Sequence, residues 1–303
     1  MALEFFLRKS PLSQEKILKN AVKTIQKRSL PEGGFALKRG QSFRPDATAW
    51  AVLALEVYGG NRNLTIPACR QLAKGQLSDG RIPVIEGYPQ SYWPTSLALF
   101  AWKKVAGFNK EAELAIRFLL KTSGKHWPKS KDAAVDHDTS IKGWPWIENT
   151  HSWIEPTSLS VLALKAYGHA GHERVLEAVR MILDRQIPTG GWNYGNTRVF
   201  GTILRPSPVC TGHALSALAG LTESSRIESS LDYLRQKIEH LRTPLALSWA
   251  VLSLKAWSYG LPDARKWILD SLSLQKRYGI YDTSLLAQLV VAYFTSGDLL
   301  SLF

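Results

Sequence analysis

Two kinds of apolar pattern alternate along the chain. In the first kind, a small or polar residue precedes a segment that is apolar on every side, and a helix without a polar face must be buried on all sides. The six copies are DATAWAVLAL (46–55), PTSLALFAW (94–102), EPTSLSVLAL (155–164), VCTGHALSAL (209–218), LALSWAVLSL (245–254) and DTSLLAQLVVAY (282–293). They predict internal helices that start near Thr48, Thr95, Thr157, Thr211, Leu247 and Thr283.

The second kind of pattern is amphipathic. Its segments are 13–27, 64–74, 109–121, 172–185, 224–238 and 262–275. In the fourth, Val175, Val179 and Ile182 recur at helical spacing, while Glu173 and Arg180 fall on the other side. Wholly buried helices that alternate with half-solvated ones predict an all-α protein with an inner ring inside an outer ring. We expect a single α6/α6 toroid over residues 1–303.

The connections between the two kinds of helix carry a motif of their own. A Gln is followed four residues later by Gly and six residues later by a bulky side chain in QIPTGGW (186–192), QLSDGRI (76–82) and QKRYGIY (275–281). QKRSLPEGGF (26–35) is a longer version. Gly permits a sharp exit from a helix. We expect the bulky side chain to pack back on the helix end, where the Gln amide can bond free backbone groups.

Gln186, Gly190 and Trp192 match this motif fully, and the motif resembles the QW repeat of squalene-hopene and oxidosqualene cyclases. The helix starts DATAW and EPTSL are similar to the same family, and the other QW copies are degenerate. The resemblance covers nearly the whole chain. It implies one α/α barrel, as in the β subunits of protein prenyltransferases. Because the repeat has a structural role, it indicates the fold rather than the function.

Composition narrows the function classes. Apolar residues make up 45% of the 303 residues, which is enough for a large core. The net charge of +13 is spread along the helices without a dense basic tract or a nucleic-acid-binding motif, so we expect no nucleic-acid partner. Two cysteines and no signal-like or membrane-spanning stretch predict a cytoplasmic protein. The apolar Leu3, Phe5, Phe6 and Leu7, or Leu299 to Phe303, are candidates for contact with a membrane surface.

The resemblance also implies an acid. The cyclases carry Asp-x-Asp-Asp-Thr at an inner helix start, and its middle Asp protonates an alkene or epoxide. RPDATAW (44–50) matches with Asp46 in the middle place, although Arg44 and Ala47 replace the other two carboxylates. DHDTS (136–140) keeps Asp136 and Asp138, and Glu155 occupies the same helix-start position as Asp46. A carboxylate there can instead cap the helix, and this reading also applies to Asp282.

Chemistry-bearing residues are densest in the longest connection, residues 124–155, which we expect to be a functional loop. The candidate catalytic residues are Asp138, Glu155, Asp46, Asp136 and His151. A histidine beside a carboxylic acid can tune it or relay its proton. Aromatic faces can stabilise a carbocation. The candidate substrate-binding residues are Trp50, Trp93, Trp144, Trp146, Trp153, Trp192 and Trp249.

A metal site has weaker support. Cys210 and His213 lie three residues apart on one predicted helix, which is compatible with zinc. The Asp-x-Cys of the protein prenyltransferases is missing its Asp, because residue 208 is Pro. Buried packing of both side chains is the other interpretation. We therefore predict no metal and no cofactor.

Three functions fit the sequence. The first is a cyclase-like enzyme that protonates a linear polyprenyl substrate, so that the partner is an apolar isoprenoid. The second is a toroid that binds an apolar ligand or a partner without catalysis. The third is a carbohydrate-active enzyme, since α6/α6 toroids also include glycoside hydrolases. Asp138 and Glu155 would then be the two carboxylates.

Overall fold

The computed structural model describes residues 11–129 and 134–303. Within this part of the chain, six helices form an inner ring and six form an outer ring. The inner helices are α2 (Pro45–Tyr58), α4 (Pro94–Val105), α6 (Ile154–Ala166), α8 (Pro208–Leu218), α10 (Pro244–Ala256) and α13 (Thr283–Phe294). The outer helices are α1 (Pro11–Gln26), α3 (Arg62–Lys74), α5 (Asn109–Lys121), α7 (Glu173–Asp184), α9 (Glu228–Ile238) and α11 (Ala264–Ser273). The predicted all-α toroid is confirmed.

Shorter elements lie in the connections. They are α12 (Gln275–Tyr278), the two-residue strands β1 (Arg198–Val199) and β2 (Thr202–Ile203), and the 3₁₀ turns Ser224–Arg226 and Leu299–Leu302. The two strands pair antiparallel as a hairpin. Such short strands carry no alternating pattern, and for that reason the sequence did not predict them.

The rings close because each inner helix packs against the next, and α13 packs back on α2. Small residues allow this close approach. At Gly212 in α8, an added Cβ would lie 2.8 Å from the backbone carbon of Trp249 in α10. Prolines begin four of the inner helices in the described chain, where the missing N–H has no helical partner to lose. The inner helix starts therefore meet at one end of the toroid.

The full QW copy is a structural clamp. Trp192 is completely buried, and its indole Nε1 donates to the Ile182 carbonyl oxygen of α7 at 2.7 Å. Its backbone N–H donates to Thr211 Oγ1 at 3.0 Å, which ties the turn to the start of α8. Gln186 Nε2 donates to Ser230 Oγ of the next outer helix at 2.7 Å. One turn thus links two outer helices and an inner helix.

In other repeats too, a threonine at the start of an inner helix accepts a bond from the backbone N–H of the preceding turn. The backbone N–H groups of Phe35 and Ile82 donate to Thr48 and Thr95, thirteen residues onward, each at 2.9 Å. Trp144 makes the same bond to Thr157, and its indole donates to an α5 carbonyl at 3.0 Å. Trp144 therefore makes the same two hydrogen bonds as Trp192. The sequence did not reveal this likeness, because a long segment separates Trp144 from the end of α5.

The long connection ends earlier than predicted. The functional loop was expected to reach residue 155, but α6 begins at Ile154, so Glu155 lies in its first turn. The sixth inner helix begins at Thr283, as predicted. Thr283 Oγ1 donates to the carbonyl of Ala36, a bond that joins the last inner helix to the first repeat. Asp282 caps α13 by accepting a bond from the N–H of Leu285, as the capping interpretation expected.

Lysines close the opposite end of the toroid. Lys165 Nζ of α6 donates to the Ala217 and Ala219 carbonyls at the end of α8. Lys255 Nζ of α10 donates to the Thr295 carbonyl after α13. Cations are favourable at helix C-termini, where carbonyl oxygens lack helical partners. The lysines therefore stabilise the end that lies away from the helix starts.

Two segments were predicted as candidates for contact with a membrane surface. Leu3, Phe5, Phe6 and Leu7 lie outside the described residues. At the other end of the chain, Leu299 is buried and Phe303 stacks on Phe100, with ring centroids 5.9 Å apart. Among the helices of the described residues, none is long and apolar enough to cross a bilayer.

Candidate active site in the centre of the toroid

A cavity of about 70 Å³ lies among the inner helix starts. Five of the inner helices in the described chain each line it with two positions four residues apart, and α8 contributes one. The lining residues are Asp46, Trp50, Trp93, Leu97, Glu155, Leu159, His213, Leu245, Trp249, Ser284 and Gln288. Residues at i and i+4 share one helix face. The cavity therefore collects one face from the first turns of the whole inner ring.

Glu155 is the carboxyl group that the protein environment perturbs most clearly. It lies in the first turn of α6, surrounded by protein, and 21% of its side-chain surface is open through the cavity. Burial raises its pKa from the ordinary 4.5 to about 7. Removing a carboxylate from water disfavours the charged form. A protonated Glu155 is therefore well populated at neutral pH.

His213 faces Glu155 from the neighbouring helix α8. Its Nε2 atom lies 3.7 Å from Glu155 Oε1, and its Nδ1 atom lies 2.9 Å from the Val209 carbonyl oxygen. A carbonyl only accepts, so Nδ1 carries the proton and the Nε2 lone pair faces the carboxyl group. Burial lowers the pKa of His213 to about 3, which keeps the ring neutral. The pair is thus an uncharged acid beside an uncharged acceptor.

Asp46, the other carboxylate of the cavity, is matched by a cation. Arg44 Nε and Nη2 donate to its two oxygens at 2.9 and 3.1 Å. Both residues stand at the beginning of α2, and Asp46 is buried. A two-point pair of this kind fixes the carboxylate and neutralises its charge. Arg44, two residues before Asp46 in the chain, therefore makes Asp46 an ion-pair partner.

Three tryptophans form the aromatic wall. Trp50 and Trp249 meet edge to face, with ring centroids 6.0 Å apart. Trp93 contacts Trp146 in the same manner at 5.2 Å, so Trp146 supports the wall from behind. The His213 ring also stacks at 3.8 Å on Trp249. The wall offers π-faces to a cation.

Two polar groups on α13 complete the lining. Ser284 Oγ and Gln288 Oε1 are buried and have no hydrogen-bond partner among the described residues. Buried polar groups nearly always have a partner, which can be water or a ligand. These two atoms are therefore available to a guest molecule. Neither residue was predicted from the sequence, because a helix that is apolar nearly all round does not show which side faces the cavity.

Two of the predicted carboxylates lie outside the cavity lining. Asp138 is partly buried, and its carboxylate accepts bonds from the Ser140 N–H and hydroxyl at 2.8 and 2.6 Å. These bonds lower its pKa, which keeps it ionised rather than acidic. Asp136 is exposed and pairs with Arg198 at 3.3 Å. The structure does not bring either one to Glu155.

The remaining predicted residues lie beside the cavity. His151 belongs to a cluster with His137 and Trp153. Trp144 and Trp192 make the structural hydrogen bonds described above. The exposed Lys129 is near the same cluster, and residues 130–133 lie outside the described part of the chain.

The predicted metal candidates, Cys210 and His213, do not form a metal site with other residues of the described chain. Among the described residues, no group of three His, Cys, Asp or Glu side chains is placed to hold an ion. Burial raises the pKa of the Cys210 thiol to about 12, so it is protonated. His213 faces Glu155 instead.

Comparisons with known proteins support the fold. No protein-family model matches the chain, and no curated protein matches its sequence. Among solved structures, type II terpene cyclase MstE from Scytonema is similar at 14% identity and a TM-score of 0.61, over 93% of this chain and 96% of that one.

An α-1,6-mannanase of Salegentibacter is similar to the same extent, at 14% identity and a TM-score of 0.61, over 93% and 99%. A protein from Actinoplanes matches at 14% and 0.60, over 95% and 98%. One MstE structure contains geranylgeranyl dihydroxybenzoate as substrate. At such identities the likeness shows a shared α/α-toroid fold.

Proposed function

We propose that this protein is an acid catalyst that starts the cyclisation of a linear isoprenoid, with Glu155 as the proton donor. The observation that carries the proposal is the Glu155 carboxyl group, whose pKa burial raises to about 7, in a cavity walled by tryptophans. An acid with a pKa near the working pH holds its proton and can still release it.

The reaction balances without a cofactor. Protonated Glu155 gives its proton to one alkene carbon of the substrate, and the other alkene carbon becomes a carbocation. The π electrons of a second alkene attack that cation and form the new carbon–carbon bond. Loss of a proton from the cyclic cation restores an alkene. The product is an isomer of the substrate.

His213 acts as a positioning residue for Glu155. The 3.7 Å separation between their facing atoms is longer than a hydrogen bond. Catalytic hydrogen bonds are often long without substrate and shorten in its presence. A neutral Nε2 can accept from the carboxyl O–H and hold the group in place. Its pKa of about 3 is too low for it to remove the proton at neutral pH.

The cavity suits a carbocation electrostatically. Trp50, Trp93 and Trp249 border it, and a cation over an indole face gains about 0.5–2 kcal/mol. The charge of Arg44 is matched by Asp46, so this pair at the cavity edge does not repel the intermediate. After proton transfer, the Glu155 carboxylate itself faces the cation.

The size of the cavity indicates which part of the substrate enters. A volume of about 70 Å³ holds roughly five water-sized groups, close to one five-carbon isoprene unit. We infer that the terminal unit reaches Glu155 while the rest of the chain lies toward the mouth. The connections that lead into the inner helices carry exposed apolar side chains for such a path: Ile85, Tyr88, Ile147, Tyr194, Phe200 and Ile280.

Carbohydrate chemistry is the second candidate, because Asp46 and Glu155 line one cavity and a mannanase shares the fold. A two-carboxylate mechanism needs a base or nucleophile opposite the acid. Arg44 occupies both oxygens of Asp46, and Asp138 lies outside the cavity lining. These contacts favour the isoprenoid proposal.

The test is incubation with linear prenyl alcohols and diphosphates in D₂O, followed by mass spectrometry of the products. We expect wild type to form a cyclic isomer that carries one deuterium at the protonated carbon. Glu155→Gln should lose at least about a hundredfold in rate, the usual contribution of a general acid. Asp138→Asn, a change at a carboxylate outside the cavity lining, should keep the wild-type rate.

Other outcomes would support the other functions. Binding of the prenyl alcohols to both wild type and Glu155→Gln, without conversion by either, would indicate a ligand-binding toroid. Sugar release from manno-oligosaccharides that disappears in both Asp46→Asn and Glu155→Gln would indicate a glycosidase. Equal cyclisation rates in wild type and Glu155→Gln would refute Glu155 as the acid.

A further inference from the structure

A buried arginine lies outside the cavity with part of its guanidinium unpaired. Arg185 directly follows α7 and has no exposed surface. Its Nη1 donates to the carbonyl oxygen of Ser152. Its Nε and Nη2 have no hydrogen-bond partner among the described residues. Two charged donors are therefore buried and unused.

Two histidines with free nitrogens lie near this arginine. His137 is 3% exposed, and neither of its ring nitrogens has a partner in the described chain. His151 lies beside it, with ring centroids 5.4 Å apart, and its Nδ1 is equally unpartnered. The third histidine of the group, His126, has a hydrogen-bond partner for each of its ring nitrogens. His126 contacts the Thr139 carbonyl at 3.2 Å and Ser152 Oγ at 3.1 Å.

The surrounding charge is positive. Arg185 and Lys129 both act on His137, and burial together with the arginine charge lowers the pKa of His137 to about 3 and that of His151 to about 4. Both rings are therefore neutral at physiological pH. His137 has one N–H to donate, whereas the N–H of His151 is engaged with the backbone of Lys125.

The nearby carboxylates are already engaged. Asp184 Oδ2 accepts from the N–H of Asp138 at 2.8 Å, and Asp138 itself accepts from Ser140. Neither forms an ion pair with Arg185 in the described part of the chain. The guanidinium charge is thus left without direct compensation.

Such an arrangement selects a ligand of opposite charge. An unpaired buried charge costs several kcal/mol, and the cost falls when an anion and its hydrogen bonds are supplied. A metal cation would be repelled by Arg185. We infer that Arg185, His137 and His151 form a binding site for an oxyanion of the phosphate class. Two arginine donors and one N–H from His137 match the oxygens of such a group, and the His151 ring lies beside them.

This inference stands apart from the proposed function, because none of the three residues lines the central cavity. The site is nevertheless adjacent to it through Trp153, which contacts His151 at 5.9 Å and directly precedes α6. The oxyanion is either free in solution or a phosphoryl group attached to a larger ligand. Both sources share the same chemistry at the site.

The experiment titrates inorganic phosphate into the full chain, with calorimetry for affinity and histidine NMR for location. We expect the ring signals of His137 and His151 to shift while that of the exposed His240 stays. Arg185→Gln should weaken binding roughly ten- to hundredfold, the worth of a charge-assisted hydrogen-bond set. The matched control is Arg180→Gln, which removes an exposed charge from the same helix and should bind as wild type does.

A second variant covers the case in which Arg185→Gln does not fold. His137→Phe keeps the arginine and removes one donor, and it should also weaken phosphate binding. A comparison of geranyl monophosphate with inorganic phosphate distinguishes a phosphoryl group on a larger ligand from free phosphate. If the natural ligand has an apolar tail, geranyl monophosphate should bind more tightly than inorganic phosphate. The site is refuted if phosphate moves neither histidine signal, or if Arg185→Gln and Arg180→Gln bind phosphate equally.

Discussion

Glu155 Oε1 lies 3.7 Å from Nε2 of His213, and the two side chains come from neighbouring inner helices. Burial moves their pKa values apart in an unusual order, to about 7 for the acid and about 3 for the histidine. The carboxyl group therefore holds the proton at neutral pH and the imidazole does not. The cavity therefore contains a neutral acid at neutral pH.

The stability of the protein should report the Glu155 pKa directly. A folded pKa of about 7 against an ordinary 4.5 means that the folded state binds the proton more tightly. The contribution is present in full below pH 4.5 and is lost as pH rises through 7, by about 3 kcal/mol in all. Glu155→Gln removes it. Urea denaturation should therefore show the variant gaining stability over wild type at about pH 8 but not at about pH 4.5.

The control for this experiment is the exposed Glu113→Gln, whose difference from wild type should be the same at both pH values. A constant difference for Glu155→Gln as well would show that its pKa is not raised.

The pH dependence of the reaction should have the same origin. Only the protonated form of Glu155 can donate, so initial rates should fall about tenfold per pH unit above pH 7. The measurement is the rate of product formation across neutral and mildly alkaline pH. A rate that keeps rising in that range would mean that the active form of the catalytic group is deprotonated.

Substitutions of Trp249 and Trp192 should have different effects, because Trp249 lines the cavity and Trp192 holds the turn after α7. Trp249→Leu removes a π-face from the cavity, and turnover of the folded enzyme should fall roughly three- to thirtyfold. Trp192→Leu removes the bond to Ile182 and a buried ring, which should lower the free energy of unfolding by about 3–5 kcal/mol. Its turnover per folded molecule should stay at the wild-type level. Equal loss of turnover in both variants would contradict this division.

Gly190 should be far less tolerant than Gly201, although both have positive φ, +94° and +77°. A Cβ on Gly190 would collide with the Ser229 carbonyl, whereas nothing lies within 4 Å of one on Gly201. Left-handed backbone costs about 1–2 kcal/mol for alanine, and the collision adds about 1–3. Thermal unfolding should show a clearly larger loss for Gly190→Ala than for Gly201→Ala. Similar losses would mean that the turn can move away from α9.

Acid should destabilise the fold through the buried histidines. The pKa values of His137 and His213 are lowered to about 3, so below pH 6.5 the unfolded chain takes up protons that the folded chain does not. Stability is therefore lost as pH falls from about 6.5 toward 3, by about 1.4 kcal/mol per pH unit for each histidine. His137→Phe should reduce this slope by one proton, and the exposed His240→Phe should not. An unchanged slope in His137→Phe would contradict the lowered pKa.

Much of the fold could be predicted from the sequence, because its signals are local. Segments that are apolar on every side must be interior, and amphipathic segments such as 172–185 must lie at the surface. Gln186, Gly190 and Trp192 marked a turn that the structure confirms as a clamp. The likeness of Trp144 to Trp192 was not predicted, because a long segment separates Trp144 from the end of α5.

The candidate site was predictable only in part. Asp46 and Glu155 were recognisable as carboxylates at helix starts, and both line the cavity. Asp136 and Asp138 carry the same chemistry but lie outside the cavity lining, and the sequence offers no signal that separates the two cases. His213 was noted for its spacing from Cys210, whereas its nearest functional contact is Glu155 on another helix.

There is a physical reason why the sequence predicted the fold better than the site. Sequence alone determined that the inner helices are buried, where they begin and which residue types stand at their starts. It could not determine which side of each helix faces the axis, because a helix that is apolar all round has no polar face to set its rotation. That rotation is set by packing against both ring neighbours, as at Gly212 against Trp249. Only the closed ring therefore decided that Glu155 and His213 would meet.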